Sequence, residues 1–223
     1  MLHTELVFDP ANPYPLFPLG SYRYEAAKIH SERVDSWLGF QTRNIEAHLQ
    51  AHYSKSEHQT WCEISVQSFQ TPYCELRSLL SHLEAHRFET VVDLGCAYAR
   101  LAFILGKHYP TTHFIGFELC EERVAHALDR LHQWDFPPFT LKVQNLEAPD
   151  FRPPLADCYF LYDYGTIRAI QKTLQDLKTL SREKPLTVVA RGRASRHFIQ
   201  TQHPWLSQVK TPEHFDTFSI FYS

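Results

Sequence analysis

The stretch from Val91 to Arg100 constrains the fold most, because an apolar run, an acid and a turn of small residues follow one another within it. The apolar run ends at Asp93, and Gly95 lets the chain turn sharply and lets a ligand approach bare backbone. The pattern becomes helical over residues 98–107. The sequence therefore predicts a strand, a tight turn and the N-terminus of a helix, whose amide groups are available to a polar ligand.

A second acid follows a second predicted strand. Residues 113–117 read as that strand, and Glu118 stands at its end. The two carboxylate oxygens of Glu118 can accept both hydroxyls of a ribose, and each charged hydrogen bond contributes about 1.5–3 kcal/mol. The two strand ends thus outline a site for an adenosine-containing ligand.

Two ligand classes fit this outline, nicotinamide dinucleotides and S-adenosylmethionine, since an acid about 20 residues past the glycine turn suits both. The dinucleotide fingerprint needs a third small residue where this chain has the bulky Arg100. Asp93 favours S-adenosylmethionine, because a carboxylate attracts a sulfonium or an amino group and repels a pyrophosphate.

At these residues the chain resembles the class I S-adenosylmethionine-dependent methyltransferases, whose first motif is usually Asp/Glu-x-Gly-x-Gly-x-Gly. Asp93 and Gly95 match, and Ala97 and Ala99 stand where the second and third glycines are usual. The resemblance runs from Gln70 to the C-terminus. It implies a Rossmann-like domain with S-adenosylmethionine as cofactor.

The resemblance also implies roles for individual residues. Glu118 would hold the cofactor ribose, and Asn145 takes the place of an acid that usually accepts the adenine amino group, a bond that an amide oxygen also accepts. The cofactor-binding residues expected on this basis are Asp93, Gly95, Cys96, Ala97, Glu118, Leu119, Asn145 and Leu146.

The catalytic candidates follow the predicted fourth strand, because ligands in open parallel sheets lie beyond the carboxyl ends of the strands. Asp163 can accept a hydrogen bond from an amine, and Tyr162 and Tyr164 can surround that amine with aromatic faces. Methyl transfer is an in-line displacement, so positioning and desolvation supply most of the acceleration. The alternatives are that the tyrosines pack beneath the N-terminal segment and that Asp163 caps a helix beginning near Thr166.

A narrower resemblance concerns the methyl acceptor. Thr71-Pro72, Arg100, Gly116-x-Glu118 and the strand at 160–162 are similar to non-SET protein-lysine methyltransferases. Asp163-Tyr164-Gly165 departs from the Leu-Leu-Pro type of sequence expected there. The acceptor is therefore left open as an N or O atom of a protein lysine or of a small molecule.

The N-terminal part lies outside this resemblance. Proline and aromatic residues predict an extended arm over residues 8–20, and helical spacing predicts two helices between Tyr24 and Tyr53. Another helix is expected to start at Thr71-Pro72, with Thr71 as N-cap and Pro72 at the first position. We expect an arm and helical cap over residues 1–68 that shapes the acceptor pocket, and a methyltransferase domain over residues 69–223.

Downstream, strands and helices alternate, which predicts a doubly wound α/β fold with a mostly parallel seven-stranded sheet. The last two strands, 206–210 and 215–221, are expected to pair as an antiparallel hairpin. The other predicted elements are helix 121–133, strand 139–143, strand 158–162, helix 166–180 and strand 186–190.

Composition limits the other classes of function. The formal charge of −3 gives no overall attraction for nucleic acid, and a cluster of Arg191, Arg193 and Arg196 is interpreted as a solvated basic loop, so RNA is a less favoured partner. Five scattered cysteines, the lack of a signal peptide and the lack of a long apolar run favour a cytoplasmic protein without membrane insertion. The histidine pairs 48/52 and 82/86 lack a third ligand, so no metal is expected.

Two other hypotheses remain open at this stage. A noncatalytic binding module would keep the nucleotide fold while its Ala97/Ala99 turn holds no cofactor. A dehydrogenase is disfavoured by Arg100. The sequence does not identify the acceptor or the oligomeric state.

Overall fold

A single twisted sheet forms the centre of the computed structural model, which describes residues 6–53, 61–134, 136–137 and 139–223. Over those residues the sheet has seven strands in the order β3-β2-β1-β4-β5-β7-β6. β1 to β5 are parallel, and β7 is antiparallel to both β5 and β6. The strands are β1 Thr90–Leu94, β2 His113–Glu118, β3 Phe139–Val143, β4 Cys158–Tyr162, β5 Thr187–Arg191, β6 Glu213–His214 and β7 Phe218–Tyr222.

Helices cover both faces of this sheet, which is the predicted doubly wound arrangement. Neighbouring residues of one strand face opposite cores, so that Val91 packs into one apolar cluster and Val92 into the other. The helices are α1 Tyr24–Trp37, α2 Thr42–Tyr53, α3 Val66–Phe69, α4 Tyr73–His82, α5 Arg100–His108, α6 Glu121–His132, α7 Ile167–Leu180 and α8 Arg193–Gln202, with 3₁₀ turns at Ala85–Arg87 and Pro204–Ser207.

The N-terminal segment shares a core with the sheet layer. Over residues 6–20 the chain contains no helix, as predicted for the arm, and the Tyr14 ring stacks on Tyr73 with 5.2 Å between centroids. Val34 of α1 and Val66 of α3 belong to the same apolar cluster as α4 and α5. The arm and the first three helices therefore pack on one face of the sheet layer.

Two local predictions are wrong, although the predicted C-terminal antiparallel hairpin is present. Pro72 is the N-cap of α4, which begins at Tyr73, so Thr71 lies outside the helix. Residues 206–210 are not a strand, because Leu206 packs into the core from a 3₁₀ turn while Val209 is 76% exposed. The hairpin that closes the sheet instead pairs the two residues of β6 with β7.

The segment after β5 is a helix, α8, and not a solvated basic loop. Its N-terminus is built on Gly192, whose φ of +92° suits glycine. Arg191 donates to Glu75 and Thr71, and Arg196 donates to Ser219 and to two backbone carbonyl groups. Two of the three arginines are therefore engaged within the protein.

Candidate functional site

A cleft of about 270 Å³ lies at the carboxyl ends of β1, β2, β4 and β5. This edge is where the strand order reverses, between β1 and β4, and where ligands bind in open α/β sheets. Most of the predicted site residues line the cleft, namely Gly95, Ala97, Glu118, Leu119, Asn145, Leu146, Tyr162, Asp163 and Tyr164. Asp93 and Cys96 do not contribute to the lining.

The turn after β1 adopts glycine-like backbone at residues that are not glycine. Gly95 has a φ of +83°, and Ala97 and Ala99 have φ values of +48° and +55°. A left-handed residue with a Cβ costs about 1–2 kcal/mol, so the surrounding structure imposes this conformation. Ala97 and Ala99 therefore have a backbone conformation that glycine adopts without this cost.

Hydrogen bonds within the protein hold this turn. The amides of Gly95 and Cys96 both donate to the carbonyl of Phe117 over 2.9 Å, and the amide of Ala97 donates to Glu118 Oε2 over 2.9 Å. These three amides are not available to a ligand in the way the sequence suggested. Gly95, Ala97 and Glu118 are the residues of this region that line the cleft.

Glu118 is buried and holds the two strand ends together. Its Oε2 accepts from Ala97, its Oε1 accepts from the amide of Cys120 over 3.0 Å, and Arg123 Nη1 lies 3.5 Å from Oε1. A carboxylate oxygen has two lone pairs, so each oxygen keeps capacity for one more donor. The geometry is compatible with a pair of ribose hydroxyls in the cleft.

Arg123 extends this contact to the N-terminal cap. Its Nε and Nη2 donate to the two carboxylate oxygens of Glu46 in α2, over 2.9 and 2.8 Å. Glu46 Oε1 also accepts from the Tyr98 hydroxyl over 2.7 Å. Burial alone would lower the pKa of Arg123, but its hydrogen bonds to Glu46 and the charge of Glu118 raise that pKa above its ordinary value.

Asp93 is a partly buried acid near Glu118. Burial, followed by repulsion from Glu118, raises the pKa of Asp93 to about 7. Within the described residues no donor hydrogen-bonds to its carboxylate. A cationic partner would stabilise the ionised form of this carboxylate, because a nearby positive charge favours that form.

The Asp163 carboxylate accepts hydrogen bonds from the start of α8. It accepts from the amides of Ala194 and Ser195, over 3.0 and 2.8 Å, and from the Ser195 hydroxyl over 2.6 Å. A Cβ on Gly192 would overlap that carboxylate. Thr166 caps α7 with its own hydroxyl, so the interpretation of Asp163 as the cap of α7 is wrong, and it caps α8 instead.

The two tyrosines beside Asp163 point to protein partners. Arg191 lies over the Tyr162 ring at 5.8 Å, and the Tyr164 hydroxyl bonds Thr173 Oγ1 over 2.5 Å and the Ala169 carbonyl over 3.2 Å. Burial raises the pKa of both phenols, so they stay protonated at neutral pH. They line the cleft as neutral aromatic groups.

Asn145 and the N-terminal segment complete the cleft. The Asn145 side-chain oxygen accepts from the amide of Glu147 over 2.9 Å, which leaves one lone pair and the amide NH₂ for a ligand. Trp61 donates its indole N–H to the Asp163 carbonyl over 2.6 Å, and its own φ is +57°. Sequence reasoning missed Trp61, Phe69 and Arg123 as lining residues, since no motif marks them.

The five cysteines are buried, and none of them forms a disulfide within the described residues. Over the described ranges, no helix is both long and apolar enough to cross a bilayer. Within those ranges no three histidine, cysteine or acidic side chains group as metal ligands, although the His48 and His52 rings lie 4.3 Å apart.

No protein-family model matches the sequence, and no curated protein matches it. Solved structures do match. An S-adenosylmethionine-dependent methyltransferase from Aquifex aeolicus is 13% identical with a TM-score of 0.50, over 70% of this chain and 94% of that chain. TrmN from Thermus thermophilus is 13% identical with a TM-score of 0.51, over 67% of this chain and 47% of that chain. Together with the sheet order, these similarities show that the chain has the fold of the class I S-adenosylmethionine-dependent methyltransferases.

Proposed function

We propose that this protein is an S-adenosylmethionine-dependent methyltransferase. The observation that carries the proposal is the pair of acids at neighbouring strand ends, Asp93 and Glu118, around a turn whose backbone is left-handed at Gly95, Ala97 and Ala99. A nicotinamide dinucleotide fits less well, because an acid beside the turn would repel its pyrophosphate. Arg100, which replaces the third small residue of that fingerprint, is buried against Asp35.

The cofactor-binding residues remain those expected from the sequence. Glu118 and Leu119 would hold the ribose, and Asn145 and Leu146 the adenine. The turn at Gly95 and Ala97 would lie against the methionine end, and Cys96 would support that turn from outside the cleft lining. Asp93 would attract the cationic end of the ligand from behind the cleft lining. S-adenosylmethionine supplies a methyl group on a sulfonium, which an acceptor takes by in-line displacement.

The acceptor end of the cleft favours positioning over base catalysis. Asp163 already accepts three hydrogen bonds from α8, and Tyr162 and Tyr164 are neutral. These residues would position an acceptor and exclude water, so an acceptor that is already nucleophilic suits the site best. An N or O atom of a small molecule or of a protein lysine is the proposed acceptor.

The N-terminal cap, residues 1–68, would set acceptor specificity. Trp61, Ile64 and Ser68 line the same cleft as the methyltransferase motif residues, with Phe69 directly after them. Their contact with the loop after β4 is fixed by the bond from Trp61 to the Asp163 carbonyl. Changes in this wall are expected to alter the acceptor range before they alter cofactor affinity.

Calorimetry tests the proposal most simply. S-adenosylmethionine and S-adenosylhomocysteine are expected to bind at micromolar concentration, while NAD does not. Glu118→Ala is expected to weaken binding at least tenfold, about 1.4 kcal/mol, because it removes the ribose acceptor. Absence of binding by both methionine-derived ligands would contradict the proposal.

A noncatalytic binding module is the second candidate, and the engagement of Asp163 with α8 favours it. Such a protein would bind the cofactor, or nothing, without transferring a methyl group. Incubation with S-adenosylmethionine carrying a labelled methyl group and a panel of amines, phenols and lysine peptides separates the two. Label in any acceptor supports the enzyme, whereas tight cofactor binding without transfer to any of them supports the module.

A further inference from the structure

We infer that Glu46 is a positioning residue for the cofactor site, because it holds Arg123 away from Glu118. This inference rests on the proposed function and extends it to a residue of the N-terminal cap. Glu46 lies in α2, 77 residues before Arg123 in the chain, and α2 carries none of the motif residues. It therefore has no role in the expectations drawn from the sequence.

The geometry shows two carboxylates competing for one guanidinium. Glu46 takes Nε and Nη2 of Arg123 in a bidentate pair at 2.9 and 2.8 Å, whereas Glu118 reaches only Nη1, at 3.5 Å. The first contact has the fork geometry of a strong charged hydrogen bond, and the second is longer than a hydrogen bond. Arg123 is thus hydrogen-bonded to Glu46, and Glu118 has only a nearby positive charge from it.

The surroundings make this division stable. The Arg123 side chain is 3% exposed and lies 4.7 Å from the Phe69 ring, so it has little room to turn to solvent. The Tyr98 hydroxyl donates to Glu46 Oε1 and fixes that carboxylate in place. If Glu46 lost its charge, Arg123 would have Glu118 as its nearest remaining carboxylate, and charges in a buried site pair strongly.

The consequence concerns the lone pairs of Glu118. Each of its oxygens accepts one backbone amide and keeps one lone pair for a further donor. A direct hydrogen bond from Arg123 would use one of these. Neutralising Glu46 therefore weakens binding of a ribose at Glu118, although Glu46 itself touches no ligand.

Glu46→Gln is the first test. We expect it to weaken binding of S-adenosylhomocysteine and of adenosine by about fivefold or more, and to leave binding of 2′,3′-dideoxyadenosine within about twofold of wild type. A loss confined to the ligand with hydroxyls is what a positioning role predicts. Equal losses for adenosine and its dideoxy form, or no loss, would overturn the inference.

The double variant Glu46→Gln/Arg123→Gln gives the second readout. It removes the competing cation, so binding of S-adenosylhomocysteine is expected to recover to within about threefold of wild type. A merely structural role predicts that the double variant binds no better than Glu46→Gln. That result would overturn the inference.

Asp35→Asn is the matched control. It breaks the other buried pair between the cap and the sheet layer, Asp35 with Arg100, which does not touch Glu118. We expect a lower melting temperature and an affinity within about twofold of wild type. If Asp35→Asn weakened binding as much as Glu46→Gln, general loosening of the cap would explain both, and the inference would be wrong.

A substitute variant covers the case of misfolding, and wild-type binding separates this inference from the proposed function. Should Glu46→Gln fail to fold, Glu46→Asp keeps the charge but withdraws it by one methylene, and a loss of at least about twofold is expected, with unchanged affinity contradicting the inference. Wild-type protein that binds no adenosine ligand would refute the proposed function and this inference together. Wild-type binding with normal binding by the Glu46 variants would refute this inference alone.

Discussion

At the scale of single residues, the turn after β1 shows that alanine can occupy a left-handed backbone position next to glycine. Gly95, Ala97 and Ala99 all have left-handed φ, but only Gly95 faces a neighbour that excludes a Cβ, the side chain of Tyr164. Alanine tolerates left-handed φ at a cost of about 1–2 kcal/mol, whereas overlap with a fixed neighbour has no such tolerance. The position that must be glycine is therefore set by packing.

Gly95→Ala tests this distinction, with Gly20→Ala as its control. Gly20 has a similar φ of +74° but nothing within 4 Å of a Cβ. Both variants carry the conformational cost, so Gly95→Ala is expected to destabilise the protein by about 2 kcal/mol more than Gly20→Ala does. Urea denaturation measures the free energy of unfolding of both variants. Equal decreases would show that the Tyr164 side chain moves to accommodate the new Cβ.

The raised pKa of Asp93 predicts that cofactor binding depends on pH. Its pKa of about 7 means that it is protonated below neutral pH and ionised above it, and a cationic ligand favours the ionised form. Affinity for S-adenosylmethionine is therefore expected to rise about tenfold from pH 6 to pH 8 and to stay flat over that range in Asp93→Asn. Calorimetry at the two pH values checks it, and an unchanged slope in Asp93→Asn would exclude this acid as the source.

The same acid affects stability in the opposite sense. Because its folded pKa lies above the ordinary value for Asp, the folded state holds a proton that the unfolded chain has lost, and stability falls as pH rises toward 7. Asp93→Asn removes that penalty, so it is expected to raise the melting temperature at pH 8 more than at pH 5. A variant that gains nothing at pH 8 would contradict the raised pKa.

At the scale of elements, α8 depends on a residue from another part of the chain. Its sequence buries only Ser195 and Ile199, so periodicity gives little sign of a helix. Its first amides are capped by Asp163, which lies after β4 and about 30 residues earlier in the chain. The helix exists because β4 and β5 are neighbours in the sheet.

Asp163→Ala is expected to destabilise the start of α8 by about 1–2 kcal/mol, since two backbone amides and a hydroxyl lose their acceptor. Hydrogen exchange of the α8 amides is expected to increase while that of α7 stays unchanged. Thr166→Ala, which removes the cap of α7, is expected to show the reverse pattern. Equal exchange in both helices for either variant would contradict the assignment of the two caps.

At the scale of the whole molecule, buried ion pairs join the N-terminal cap to the sheet layer. Asp35 of α1 pairs with Arg100 at the start of α5, and Glu46 of α2 pairs with Arg123 in α6. Breaking a buried pair leaves an uncompensated charge, which costs more than the pair contributes. The cap is thereby fixed on the same side of the sheet as the cleft wall that it helps to form.

Asp35→Ala is expected to lower the free energy of unfolding by about 3–5 kcal/mol, because Arg100 would remain buried without a carboxylate. Glu32→Ala, on the exposed side of the same helix, is expected to change it by less than about 0.5 kcal/mol. Chemical denaturation compares the two. A small effect of Asp35→Ala would mean that water or another group reaches Arg100.

The sequence predicted most of the sheet because its central strands are buried on both faces. Such strands form short continuous apolar runs, and residues 158–162 are a strand of this kind with the predicted bounds. Residues 139–143 are also a strand with the predicted bounds, although β3 lies at the edge of the sheet and its last two residues are exposed. Asp93 and Glu118 could be predicted as site residues because each of them follows an apolar run that reads as a strand. Pairs such as Glu46 with Arg123 join residues 77 positions apart, and nothing in local pattern reveals them.

The hydrogen bonds from α8 to Asp163 and those of the turn amides could not be predicted from the sequence for the same reason. Each depends on which strand ends meet in space, and a single sequence gives the order of elements along the chain but not the donors that a side chain meets. Residues 206–210 were also predicted wrongly, because Leu206 is buried from a 3₁₀ turn while Val209 is exposed, and no strand forms there.

A crystal structure with S-adenosylhomocysteine tests the central claim most directly. The account predicts the ligand in the cleft at the carboxyl ends of β1, β2 and β4, with both ribose hydroxyls within about 3.2 Å of the Glu118 carboxylate oxygens. It also predicts that Arg123 stays paired with Glu46. A ligand bound elsewhere, or a ribose that does not contact Glu118, would contradict the assignment of this cleft as a methyltransferase cofactor site.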